Sequence, residues 1–205
     1  MLITAIESYG SKKAKVFLEN EFAFVLYKGE LSKYGITEQG ELTEASYQEL
    51  MDEVLKKRCR LYAMKLLTAR PYSKKALTDK LNDAMYPVIL VEDAIAYVES
   101  FGYINDEQYC ADLIDSLSKK DSLPVIRRKL KQKGLSDAII EGCLAEKEDD
   151  LAQQSEELLI SLIRKKTRNG LPEDQKEEAK LYRYLTGKGY SISQIRKAIS
   201  LLDDE

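Results

Sequence analysis

The densest group of residues able to do chemistry runs from Lys119 to Lys133. Lys119, Lys120, Arg127, Arg128, Lys129, Lys131 and Lys133 face one acid there, Asp121. Ammonium and guanidinium groups at this spacing make no bonds. They bind anions, either the carboxylates of an acidic protein surface or nucleic-acid phosphates. Ile126 and Leu130 are four apart and take the core face of a predicted helix. Arg127 and Lys131 then share an outward face, with Arg128 beside them. A merely solvated helix face is the competing reading. Arg164, Lys165, Lys166 and Arg168 form a second group at the end of a predicted helix, where cations also complement the helix dipole. Arg70, Lys74 and Lys75 form a third, weaker group. Whether the three groups join in one stripe depends on tertiary placement.

Other chemistries find less support. The chain has no histidine, which removes the commonest general base, the commonest metal ligand and any Ser-His or Cys-His pair. Cys59, Cys110 and Cys143 are far apart, odd in number and form no CxxC pair, so neither a disulfide framework nor a zinc site is expected. They read as buried small hydrophobes in a reducing compartment. Glu146-Lys147-Glu148-Asp149-Asp150 lacks the spacing of a calcium loop and reads as a solvated junction. Thirteen tyrosines could stack on bases, but Tyr62, Tyr97 and Tyr109 fall near apolar helix positions and are expected to pack in cores. No catalytic residue, metal or cofactor is expected. The net charge of -3 argues against an indiscriminate DNA-coating protein while allowing local basic faces. No apolar run nears the ~20 residues of a membrane helix. Met1-Leu2-Ile3-Thr4 does not resemble a signal peptide. A cytoplasmic protein is expected.

The basic groups must be held by helices. Before them, from Met1 to about Leu31, the pattern is that of strands. Val16, Leu18, Phe22, Phe24, Leu26 and Tyr27 alternate around Glu19-Asn20-Glu21, a hairpin signature, and Ser8-Tyr9-Gly10-Ser11 supplies an earlier turn. A small antiparallel sheet of two or three strands should pack on a helix. From Thr43, which can cap the first helix, the pattern is helical. Pro71 stops one run, Ser73 caps the next, and Pro87 opens another.

The chain also repeats itself. Ile126, Leu130, Ile140 and Leu144 match Leu181, Leu185, Ile195 and Ile199 after a shift of 55 residues, and Leu77, Leu81, Val91 and Ile95 after a shift back of 49. Lys133-Gly134-Leu135-Ser136 matches Lys188-Gly189-Tyr190-Ser191. In both, glycine ends one helix and serine caps the next, with Gln194 completing a capping box. The first copy uses Met85-Tyr86-Pro87 instead. A longer helix precedes each copy: about Val54–Ala69, Asp106–Lys119 and Asp149–Thr167. The unit is three helices of about fifty residues. The expected fold is mainly α: three tandem three-helix repeats in an elongated array, behind a small N-terminal antiparallel β-hairpin segment. The boundaries read as 1–42 for the β-hairpin extension, 43–104 for a linking helix and first repeat, 105–147 for the second and 148–205 for the third.

Several of these segments resemble one family. Arg70-Pro71-Tyr72-Ser73 with Leu77 and Leu81 resembles the opening of the first repeat of the RecX family. Phe101-Gly102-Tyr103-Ile104-Asn105-Asp106-Glu107-Gln108-Tyr109 is similar to its junction into the second repeat. Ile126 through Leu135 resembles its Ile-x-x-x-Leu-x-x-Lys-Gly-Ile segment, and Tyr184 through Ser191 its third-repeat ending. The hairpin with Asn20-Glu21-Phe22-Ala23-Phe24 is similar to the N-terminal extension of Gram-positive-type members. The likeness covers essentially the whole chain. Asn105, Cys110 and Ser122 stand where the family favours Asp, Ala and Gly; each reads as a mild boundary or packing change. The resemblance implies a non-enzymatic regulator of RecA in DNA recombination, repair and the SOS response. It would bind RecA filaments in the helical groove and inhibit recombinase, ATPase and co-protease functions, with single- or double-stranded DNA as a further partner, no membrane partner, and a monomeric state. The alternative from the residues is a nucleic-acid-binding helical module acting without RecA.

Overall fold

Three strands form because apolar and polar residues alternate from Ile3 to Tyr27, putting Val16, Phe24 and Leu26 on one buried face. The structure, a computed structural model, describes residues 1–167, 170–172 and 174–203. It divides into two compact units, Met1–Asn105 and Asp106–Glu205.

In the first unit, strands β1 (Ile3–Tyr9), β2 (Lys13–Leu18) and β3 (Glu21–Tyr27) form an antiparallel sheet in that order. Gly10 turns the first hairpin at φ +68°, and Glu19 and Asn20 turn the second at +51° and +70°. The strand pattern read to about Leu31 stops early. Helix α1 (Lys28–Lys33) follows at once, because the Glu30 carboxylate accepts the Tyr27 N–H at 2.8 Å and pairs with Arg58. That local cap overrides an apolar residue in strand phase.

Thr43 caps α2 (Glu44–Glu49) by accepting the Ser46 N–H at 3.2 Å. The helix then widens through a π-turn at Leu50–Leu55 into α3 (Lys56–Ala69). The long helix expected from about Val54 is thus continuous with the one Thr43 caps. Ser73 caps α4 (Lys74–Asp83), and α5 (Val88–Ser100) follows Pro87. One core unites sheet and helices through Ile3, Phe24, Leu55, Cys59, Leu77, Leu81 and Val98. At its edge Arg60 donates two hydrogen bonds to Asp93, at 2.6 and 2.8 Å, and stacks 4.4 Å from the centre of the Tyr97 ring. Lys56 adds a second cation at 3.2 Å.

The second unit holds α6 (Asp106–Leu117), α7 (Leu123–Gln132), α8 (Asp137–Glu146), α9 (Glu148–Lys166), α10 (Gln175–Gly187) and α11 (Ile192–Asp203). It has two cores. Cys110, Ile114, Ile126, Leu130, Ile140 and Leu144 build one; Leu159, Ile163, Leu181, Leu185, Tyr190 and Ile195 build the other. Among the described residues no strand follows β3. Tyr62, Tyr97 and Tyr109 pack against cores, and all three cysteines are buried and free. Burial pushes the Cys59 and Cys110 thiols up to about 12.

The repeat extends to single hydrogen bonds. After α7, the Gly134 N–H donates to Lys131 O and the Leu135 N–H to Leu130 O. After α10, Gly189 and Tyr190 make the same two bonds to Thr186 and Leu185. After α4, Met85 and Tyr86 make them to Asn82 and Leu81. This is the Schellman motif three times, with the left-handed residue at φ +85°, +93° and +62°. Met85 therefore occupies the glycine position of the other copies. Ser191 and Gln194 complete the expected capping box, at 2.9 and 3.2 Å.

Ser122 does more than a mild boundary change would. It stands at the start of α7 but makes no side-chain cap there. Its hydroxyl, buried, donates instead to the Lys188 carbonyl at 2.6 Å, joining the second and third repeats. A Cβ on Gly189 would lie 2.6 Å from that hydroxyl oxygen.

Two measurements check these contacts. Gly189→Ala should lower stability in urea unfolding by about 1–3 kcal/mol. In a Ser122→Ala background the added cost should shrink to the backbone part, because the clashing oxygen is gone. Equal costs in both backgrounds would show that Ser122 does not crowd Gly189. For Asp93, the Arg60 hydrogen bonds hold the carboxyl below its ordinary 3.8. Its contribution, about 1 kcal/mol for a half-buried pair, is complete above that value and is lost as pH falls through the depressed one. Asp93→Asn should therefore destabilise the protein at neutral pH and flatten that segment of the acid-stability curve.

Candidate partner-binding surface

The α7 helix is held at both ends and along one side. Pro124 sits in its first turn, the Schellman motif closes its last, and Ile126 and Leu130 are buried beneath it. Arg127, Arg128 and Lys131 are exposed as expected, Lys133 is exposed as well, and Lys129 is half-buried. Tertiary partners change the electrostatics. Arg127 pairs with Glu141 and Lys131 with Asp137 at 2.7 Å, both acids of α8. Lys129 pairs with Asp121 at 2.6 Å. Among the described residues Arg128, Lys119 and Lys120 have no ion pair. The basic face is therefore less positive than a charge count along the chain suggests, and Arg128 is its uncompensated arginine.

Arg164, Lys165 and Lys166 are exposed in the last turn of α9. The Lys166 ammonium lies 5.2 Å from the centre of the Tyr184 ring, with Lys188 on the same ring at 5.8 Å. Arg168 lies outside the described residues. Arg70, Lys74 and Lys75 belong to the first unit. Arg70 stacks on Tyr72 at 4.4 Å, Lys74 pairs with Glu99 at 2.8 Å, and Lys75 with Asp79 at 3.1 Å.

One group was not picked out from the sequence. Lys176, Lys180 and Arg183 are four and three apart on α10, hence on one helical face about 10 Å long. All three are exposed, and none has an ion pair among the described residues. Lys180 and Lys166 border one shallow depression, so the end of α9 and this face of α10 meet. The shift of 55 residues that aligns the cores also aligns Arg128 with Arg183. That was the available signal. It was obscured because Glu177 and Glu178 dilute the charge of α10 along the chain.

Among the described residues no cluster of His, Cys, Asp or Glu could hold a metal ion, and no helix is long and apolar enough to cross a membrane. Fold and surface define a helical-repeat protein that, among the described residues, exposes cations without an ion pair on α7 and α10. A family profile described as "RecX, third three-helix domain" matches residues 153–199. The Regulatory protein RecX of Caldanaerobacter subterraneus subsp. tengcongensis is 30% identical over 205 residues, covering 98% of this chain and 100% of that one. A crystal structure of a regulatory protein RecX superposes with a TM-score of 0.63 at 20% identity, over 100% of this chain and 99% of that one. The RecX of Lactobacillus salivarius gives 0.65 at 23%, over 74% and 98%. The chain belongs to the RecX family of regulatory proteins.

Reversing charge at the two equivalent arginines, Arg128→Glu with Arg183→Glu, should leave the unfolding free energy within about 0.5 kcal/mol of the parent's, because both are exposed and, among the described residues, without an ion pair. It should weaken partner binding more than reversal of Arg127 and Lys131, whose charges are already met by α8. Equal losses from both pairs, read by titration against RecA or DNA, would remove the distinction.

Proposed function

We propose that this protein is a non-enzymatic regulator that binds RecA nucleoprotein filaments in the helical groove and inhibits strand exchange, ATPase and co-protease functions. The observation that carries the reading is the register of the repeats, with equal core positions, equal Schellman links and equivalent exposed arginines at Arg128 and Arg183. A helical polymer presents the same surface at regular intervals. A chain that presents the same cation from its second and third repeats, with Asp79 at that place in the first, is suited to two neighbouring sites of such a polymer. Membership of the RecX family supports the same reading. Arg127, Lys131, Lys119, Lys120, Lys129 and Lys133 extend the proposed contact on the second repeat. Arg164, Lys165 and Lys166 extend it on the third, and Arg70, Lys74 and Lys75 on the first. The role lies in DNA recombination, repair and the SOS response in the cytoplasm, needs no cofactor and is performed by a monomer.

The second reading, DNA binding without RecA, is favoured by Lys176, Lys180 and Arg183. An uncompensated cationic face can follow a phosphate backbone. The two readings separate by salt and by partner. Near-stoichiometric protein should lower the single-stranded-DNA-dependent ATPase of the cognate RecA, and the double charge reversal should restore it. Unchanged ATPase and strand exchange at large excess would overturn the filament reading. A steep loss of affinity for bare DNA with rising salt would support the second.

A further inference from the structure

One face of the N-terminal sheet is buried and the other is open. Ala14, Val16 and Leu18 of β2 turn to the core, so Lys13, Lys15 and Phe17 alternate with them on the outer face. Residues paired across an antiparallel sheet share a face. The register therefore puts Tyr9 and Tyr27 on the outer face, on either side of Lys13, and Glu7 and Val25 on either side of Lys15. Val25 is covered, with Arg58 and Pro87 bordering the same small recess. Phe17 and Phe22 pack edge to face, which accounts for them as a cross-strand pair. Tyr9 and Tyr27 stay exposed, at 39% and 41%. Two strand spacings separate them, roughly 10 Å.

Cations surround these two rings. The Lys15 ammonium lies 5.3 Å from the centre of the Tyr9 ring, and the Lys13 ammonium 5.3 Å from that of Tyr27. Arg58, which pairs with Glu30, lies against Tyr27 as well, at 4.8 Å. Among the described residues Lys13 and Lys15 have no ion pair. Lys12 and Lys28 are exposed at the same end of the sheet, where the Lys28 N–H donates to the Lys12 carbonyl at 2.9 Å. Glu7 is the acid among the outer-face positions, and Glu19 and Glu21 stand at the opposite end, in and beside the second hairpin turn. An ammonium resting on an exposed ring is weakly held. An anion draws it away and frees the ring for a flat π-face. An acidic peptide supplies the anion alone, and a phosphate headgroup supplies no π-face. A nucleotide supplies both, and its base is free to stack when the strand is single.

We infer that the outer face of this sheet binds single-stranded DNA, with one base on Tyr9, a second on Tyr27, and the phosphates between and beside them on Lys13, Lys15, Lys12 and Lys28. Exposed aromatics on a sheet are an established way to stack two or three bases. The choice of DNA over RNA rests on the recombination reading. The site itself does not, and it lies in a different compact unit from the basic faces of α7 and α10.

The experiment titrates the full-length protein, with no recombinase present, with the oligonucleotide (dT)8. Backbone amide shifts by NMR locate the contact, and anisotropy of the labelled strand gives the affinity. Saturable shifts are expected over residues 7–15 and 25–28. Tyr9→Leu or Tyr27→Leu should each weaken (dT)8 by about 5–20-fold, the worth of one stacked base. Tyr9→Phe and Tyr27→Phe keep the rings and should bind as the parent does. Lys13→Gln with Lys15→Gln should lower the slope of log affinity against log salt by about 1.4, or about 0.7 for each phosphate contact of a single strand. This lysine pair keeps the test intact if a leucine variant fails to fold. Shifts confined to residues 176–183, unchanged affinity in the leucine variants, an unchanged salt slope in the lysine pair, or tighter binding of a duplex of the same length would each overturn the site. Tighter binding of (rU)8 would overturn the choice of DNA. Failure to inhibit RecA with these results intact would count against the filament reading and leave the site standing.

Discussion

In each repeat the turn from the second helix to the third passes through one residue whose φ is positive, and that turn organises all three repeats. Met85, Gly134 and Gly189 are that residue, at equivalent positions. The paired Schellman hydrogen bonds then fix the direction in which the third helix of each repeat leaves the second. Only with that direction set do Leu77 and Leu81 meet Val91 and Ile95, and do Ile126 and Leu130 meet Ile140 and Leu144. Glycine adopts the conformation freely, whereas Met85 holds it against steric resistance, with the same pair of Schellman hydrogen bonds closed around it.

The same geometry decides which charges are available to a partner. The turn that brings α8 back along α7 also brings Glu141 and Asp137 to Arg127 and Lys131. Exposed pairs of this kind add little stability, but they redistribute the field. Among the described residues Arg128 is left without an ion pair on α7, and Lys176, Lys180 and Arg183 on α10. A basic segment and a basic surface are thus different things in this protein, and the difference is made by helices distant in sequence.

The joint between the second and third repeats rests on small atoms. The Ser122 hydroxyl leaves its own helix uncapped to reach the Lys188 carbonyl, and Gly189 has room beside it only because it lacks a Cβ. A serine at a helix start would ordinarily be assigned to its own helix. Here its partner lies 66 residues away.

Helix periods, serine caps and the glycine links are legible in the sequence by itself, because each depends on residues three to five positions apart, whose geometry is set by the backbone, and the repeat is legible as their recurrence. The sheet is legible for the same reason, through alternation and short turns of three and two residues. Its end was misplaced, because Glu30 capping Tyr27 outweighs the strand phase of Leu31. Tertiary structure alone decided that acids of α8 neutralise part of the α7 face, that Lys166 and Lys180 border one depression, and that Ser122 joins two repeats. These outcomes depend on the distance between side chains far apart along the chain, and that distance is fixed only once the cores have packed.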